Sequence, residues 1–183
     1  MKKNVLGFII FCLLLACTKQ AEFVPTNDSS TDFKAFSSEF VTNGNFPVKY
    51  TCDGSSISPL IQWSGAPNGT ISYAITMHHF PPAGAEKHVY MCVYNIGAGL
   101  KALPENATNI GNWGINTVNG KNSYSPPCSQ GPGAKAYIIT VYALSSAPVI
   151  STSVNQTTMD VLLTAITNKT LAKSEIFVNY SRP

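Results

Sequence analysis

At 183 residues the chain has room for one domain, two at most. Only 11% of residues are charged, which excludes a coiled coil, a helical bundle and a charged disordered chain, and the formal net charge of +3 makes no general electrostatic case for nucleic acid. With 44% hydrophobic residues it can bury a core, and its thirteen Gly and twelve Pro point to short strands joined by turns.

Met1-Lys2-Lys3-Asn4 is a short basic start, followed by an apolar run from Val5 to Leu15. That run is shorter than the ~20 residues that span a bilayer. It ends Leu14-Leu15-Ala16-Cys17, before polar Thr18-Lys19-Gln20. Residues 1–16 read as a signal peptide. Their end resembles a bacterial lipobox, which implies cleavage before Cys17 and acylation of that cysteine; an ordinary signal peptide with an incidental Cys17 is the alternative. Two or more acyl chains, at ~0.8 kcal/mol per buried CH₂, anchor stably where one does not. Without Lys2 and Lys3 the chain holds ten Lys and Arg against nine Asp and Glu. Residues 17–35, with Pro25, Thr26, Asn27, Asp28, Ser29 and Ser30, read as a flexible tether. The domain is then 36–183, its globular part starting near Phe33 to Phe36.

Phe36, Phe40 and Phe46 mark a first apolar segment, broken by the turn signal Asn43-Gly44-Asn45. Ile61 to Trp63 predicts a short strand. From Ser72 to His78, Tyr73, Ile75 and Met77 share one face. Val89 to Ile96 and Tyr137 to Leu144 are nearly all apolar, as strands buried on both faces are. The stretch 104–133 has little strand pattern; Trp113, Tyr124 and Cys128 within it predict an ordered, packed loop. Met159, Leu162, Leu163 and Ile166 fall at helical spacing, with Thr157 or Thr158 as N-cap. Glu175 to Tyr180 gives a last strand. The prediction is a mainly β protein, an antiparallel β-sandwich with one late helix.

Four segments together resemble the phosphatidylethanolamine-binding family, in its bacterial Raf-kinase-inhibitor-like branch. They are Tyr50-Thr51-Cys52-Asp53-Gly54 with Ser58-Pro59-Leu60 and Trp63 to Thr70; Asn95-Ile96; Gly114-Ile115-Asn116 leading to Tyr124-Ser125-Pro126-Pro127-Cys128; and Tyr137 to Leu144. The resemblance implies a Greek-key sandwich with a C-terminal helix, and a small pocket at one end that takes phosphate or a phospholipid headgroup. In the family that pocket uses an Asp-Pro-Asp-Ala-Pro segment, a strand His, a Gly-Pro-Cys turn and a His-Arg-Tyr segment. Carried onto this chain, the two Asp positions fall on His79 and Pro81. The strand His falls on Tyr90, with His88 two residues earlier on the same face. The His-Arg-Tyr segment falls on Lys135, Ala136 and Tyr137, and the turn supplies Pro127. Asp53 lies where the family has a rim Asp.

These exchanges remove an acid at His79 and place a permanent cation at Lys135, so the pocket is expected to be more cationic than is usual in the family. The candidate ligand-binding residues are Asp53, His79, His88, Tyr90, Pro127, Lys135 and Tyr137. Asp53 reads either as a group orienting a pocket histidine or as a turn residue bonding its own backbone. Lys135 reads equally as a solvated surface lysine, and His78 as facing solvent or capping a strand end. The resemblance also implies a Cys52–Cys128 disulfide, with free thiols as the alternative, while Cys92 reads as a buried small hydrophobe.

No Gly-x-Ser-x-Gly, His-Glu-x-x-His, dinucleotide or phosphate-loop motif occurs, and carboxylates are sparse. The expectation is a non-enzymatic cell-envelope lipoprotein without a cofactor, anchored at Cys17, with the outer membrane favoured. Its partner is a small anionic or phospholipid-like ligand, and nucleic acid is not expected. Two alternatives remain. One is a metal site from His78, His79 and His88 with Cys128, opposed by the opposite directions of neighbouring strand residues. The other is regulation by protein contact, on family analogy alone.

Overall fold

The computed structural model describes residues 32–81, 85–130, 133–151, 153 and 156–182. The expected signal peptide, Cys17 and nearly all of the tether lie outside the described residues. In chain order the elements are β1 (Lys34–Phe36), β2 (Gly44–Asn45), β3 (Ile61–Ser64), β4 (Ser72–His79), β5 (His88–Gly97), β6 (Ala102–Leu103), β7 (Asn112–Trp113), β8 (Lys135–Leu144), α1 (Met159–Ile166) and β9 (Thr170–Tyr180).

The strands form a six-stranded sheet, β2-β9-β8-β4-β5-β7, and a three-stranded sheet, β1-β3-β6. Pairing is antiparallel except for the two-residue β2–β9 contact, which is parallel. Within the larger sheet β8 returns beside β4, giving the spatial order β8-β4-β5-β7 of a Greek key.

Side-chain alternation decides what each face meets. Tyr73, Ile75 and Met77 of β4, with Ile139 and Val141 of β8 and Ile176 and Val178 of β9, point inward against Ile61, Trp63, Leu103 and Phe33. Ala74, Cys92, Tyr94 and Leu144 point outward and are covered by Met159, Leu162 and Ile166 of α1. Central strands sandwiched this way have no solvent face, so β4 is buried along its whole length. Truncating one such residue, Ile75→Ala for example, costs about 2–5 kcal/mol. Thr158 caps α1 by accepting from the Val161 N–H at 3.2 Å.

Three differences from the sequence reading have physical causes. Phe33 is buried and Lys34–Phe36 pair with β3, so residues 33–35, placed with the tether, belong to the domain. Strand β9 begins at Thr170 rather than Glu175, because residues 170–174 pair with Val141 to Leu144 of β8; never fully buried, they carry no apolar alternation to show it. The stretch 104–133, read as a loop, contributes β7 to the sheet edge, and its Trp113 and Ser125 are buried.

Candidate functional site

A bulge aims the first site residue. Across β4 and β5, Met77 pairs with Met91, His78 with Val89 and His79 with His88, which leaves Tyr90 as an extra residue. Tyr90 and Met91 therefore both join the inner core, where strict alternation would send one of them outward. The Tyr90 ring meets Tyr137 of β8 edge-on at 5.3 Å, and Tyr137 meets His79 of β4 at 5.4 Å. His88 lies 6.4 Å from His79, ring to ring. Three adjacent strands thus bring together four of the predicted residues at one end of the sandwich. His79 Nδ1 lies 2.8 Å from the Ala136 carbonyl. A carbonyl only accepts, so Nδ1 carries the proton and Nε2 is the free ring nitrogen.

In front of this cluster is a hollow of about 310 Å³, lined among others by His88, Tyr90, Thr117, Pro126, Cys128 and Gln130. That is the lower end of the range for small-molecule sites and suits a compact guest. Its far wall is fixed by several bonds. Cys52 and Cys128 form a disulfide with Cα atoms 5.2 Å apart. The Cys52 N–H donates to the Pro127 carbonyl at 3.0 Å, and the Ser125 N–H to the Tyr90 carbonyl at 2.9 Å. Buried Asn116 donates to Asn119 Oδ1 and to the Lys121 and Ser123 carbonyls, and accepts from the Val118 and Asn119 N–H groups. One satisfied side chain so holds the Gly-rich loop in place. Sequence reading passed Asn116 only as part of a motif and gave it no role.

Behind the hollow the polar accounting is incomplete. Tyr137 Oη and Ser129 Oγ are buried close to each other, without a hydrogen bond of good geometry to any described residue. Burial, and then the neighbouring Tyr90, push the Tyr137 hydroxyl above the usual tyrosine range. Burial raises Tyr90 likewise. Both hydroxyls are therefore protonated donors at neutral pH. Larger grooves of about 440 and 450 Å³ lie along α1, and a crevice of about 190 Å³ lies beside Ser58, Asn106 and Trp113. None of them contains the histidine–tyrosine cluster.

Three predicted residues have other roles. Asp53 orients no histidine: Arg182 grips its carboxylate through Nε at 3.0–3.1 Å and Nη2 at 2.6 Å, and the Tyr180 hydroxyl donates to it as well. Arg182 first, then Tyr180, hold this carboxyl below its ordinary range. Lys135 does not line the hollow; its ammonium donates to the Gln130 carbonyl at 2.6 Å and braces the rim. Pro127 is buried, with its carbonyl taken by Cys52, and Pro126 is the proline that faces the hollow.

His78, expected to face solvent or cap a strand end, is 7% exposed and packs edge-on against Phe80 at 4.9 Å. It lies on the face opposite His79, and Cys128 is consumed by the disulfide, so the ligands of the metal reading do not converge. Among the described residues no group of three His, Cys, Asp or Glu is placed to hold a metal.

Residues 36–181 match the family described as phosphatidylethanolamine-binding protein. The chain belongs to that family. A UPF0098 protein of Aquifex aeolicus is 34% identical over 118 residues, 61% of this chain and 68% of the relative. The crystal structure of a phosphatidylethanolamine-binding protein homolog from Chlamydia trachomatis superposes with a TM-score of 0.75 at 26% identity, covering 84% of this chain and all of that one. YbcL of Escherichia coli, described as a member of the mammalian phosphatidylethanolamine-binding family, has the same fold, with a TM-score of 0.73 at 24% identity and coverage of 82% and 99%.

Proposed function

We propose that this phosphatidylethanolamine-binding family member is a non-enzymatic lipoprotein of the cell envelope that binds a compact anion, a phosphate or phosphate-bearing headgroup, in the hollow beside His88 and Tyr90. The observation that carries this reading is a hollow whose wall presents the donors His88 and Tyr90, with the Tyr137 ring packed edge-on against Tyr90 behind it. Among the described residues no carboxylate lines the hollow to repel an anion or to pair with His88 for acid–base work. The Cys52–Cys128 disulfide suits an oxidising compartment outside the cytoplasm, in keeping with a lipid anchor at Cys17.

Thermal denaturation with phosphate, phosphoethanolamine or acetate tests this reading. A ligand at ten times its Kd adds about 1.4 kcal/mol, or about 3–5 °C in Tm for a domain of this size. Phosphate and phosphoethanolamine are expected to raise Tm in the wild type and not in His88→Ala. No shift with any of the three at millimolar concentration rejects the proposal.

A further inference from the structure

The chain enters the fold at the end opposite the hollow. The Asp32 carbonyl packs so closely on Gly65 that a Cβ there would lie 2.4 Å from it, and Gly65 has φ +67° besides. Phe33 stacks on Tyr73, next to the first residue of β4, at 6.3 Å, and Trp63 packs tilted against it at 4.9 Å. His79 closes β4 seven residues beyond Ser72, about 23 Å away at the rise of a strand. Strands β5, β8 and β9 also have one terminus at each end: Gly97, Leu144 and Thr170 with the entry point, and His88, Lys135 and Tyr180 with the hollow.

The entry end has its own chemistry. Ile71 and Leu100 are 59% and 40% exposed there, and Leu171 is exposed beside them. The segments that compose it, 32–34, 64–71, 97–101, 144–146 and 169–171, carry Lys34, Lys101 and Lys169 and a single acid, Asp32. Lys34 pairs with Asp32 at 3.4 Å, which leaves Lys101 and Lys169 as the net positive charge; exposed aliphatic side chains with such lysines on the same end suit an anionic lipid surface, where the apolar groups enter the headgroup layer and the ammonium groups meet lipid phosphates. Fourteen residues separate Cys17 from Asp32. As a coil, a chain of that length spans about 20 Å, enough to set this end on the bilayer without also running the length of the domain.

We infer that this end of the sandwich rests on the anionic membrane surface that holds the anchor, and that the hollow opens away from it. This deepens the function proposed above and rests on its reading of Cys17 as acylated. It narrows the ligand class: a hollow pointing away from its own membrane takes a soluble phosphate-bearing anion rather than a headgroup of the anchoring leaflet.

The test uses the full chain, expressed with its own leader and reconstituted in vesicles of phosphatidylethanolamine and phosphatidylglycerol that carry a nitroxide quencher on the headgroup. Leu100→Cys and Val118→Cys place one fluorophore at the entry end and one at the hollow. Cys92 is buried and the other two described cysteines are disulfide-bonded, so neither competes for label. Mass spectrometry of the N-terminal peptide reports acylation independently. The proposal predicts an acylated protein quenched about threefold more at Leu100 than at Val118, a difference that Lys101→Glu with Lys169→Glu reduces. Acylated protein quenched equally at both positions, or more at Val118, overturns the orientation and leaves the anchor standing. A Leu100 label shielded from water but not quenched, in a protein that runs as a dimer, gives this end to a second copy and overturns the proposal. A protein lacking acyl chains removes both the anchor and the orientation built on it.

Discussion

Cys52 and Cys128 are joined twice across a sequence separation of 76, by their disulfide and by the Cys52 N–H on the carbonyl of the neighbouring Pro127. The bridge pins the turn that walls the hollow to the 50–54 segment. Closing a loop of that length stabilises a domain by about 4 kcal/mol in the chain-entropy model. Cys52→Ser is therefore predicted to lose about that much in denaturant unfolding, and non-reducing peptide mapping to find the two cysteines in one linked pair. Equal stability with and without reductant contradicts this.

Asp53 and Arg182 form a latch that ties the last residues of the chain to the same segment. Because the Asp53 carboxyl is held below its ordinary range, its contribution is present above the unfolded-state value and is lost as pH falls through the folded one. Asp53→Asn is predicted to lower Tm by about 2–4 °C at pH 7. The gap from wild type should close in acid; a gap unchanged from pH 7 to 3 contradicts the assignment.

His78 is buried without a partner for Nδ1, and burial first, then Lys87, lower its pKa. A histidine kept neutral by the fold contributes stability above its ordinary value near 6.5 that is lost as pH falls through the lower folded value. The wild type is predicted to lose stability below pH 6.5 with a slope of at most about 1.4 kcal/mol per pH unit from this one group. His78→Leu should flatten that slope, as urea unfolding at several pH values will show.

Tyr137→Phe separates binding from packing. The hydroxyl it removes makes no hydrogen bond of good geometry, only close approaches to Ser129 and Tyr90, so stability should change by less than about 0.5 kcal/mol. Phosphate affinity should fall about tenfold, the scale of one hydrogen bond to a charged group. Calorimetric titration of the two proteins measures both. A variant that is destabilised and binds normally would make Tyr137 a core residue and nothing more.

Much of the scaffold was legible because burial on both faces leaves a plain apolar signature. Ser72 to His78, Val89 to Ile96 and Tyr137 to Leu144 all become strands of the larger sheet, and Met159 to Ile166 the helix. The cluster of His79, His88, Tyr90 and Tyr137 was reached through resemblance to a family, since no local pattern announces the bulge that turns Tyr90 inward. The roles given to Asp53 and Lys135 failed for a different reason. Asp53 is claimed by Arg182, 129 residues away, which its own surroundings in sequence cannot show, and Lys135 by the Gln130 carbonyl, a backbone group that every residue carries and no side-chain pattern marks. Ser129 and Asn116 were missed because small polar residues in a Gly- and Pro-rich stretch look alike until burial distinguishes them.

Histidine side-chain NMR during a phosphate titration tests the central claim most directly, because the three histidines of the chain divide between two faces of one sheet. The hollow as an anion site predicts that the His88 ring signals, and with them those of His79, move and saturate with phosphate, while the signals of His78 stay still. Saturable shifts confined to His78, or none at any of the three, would contradict it.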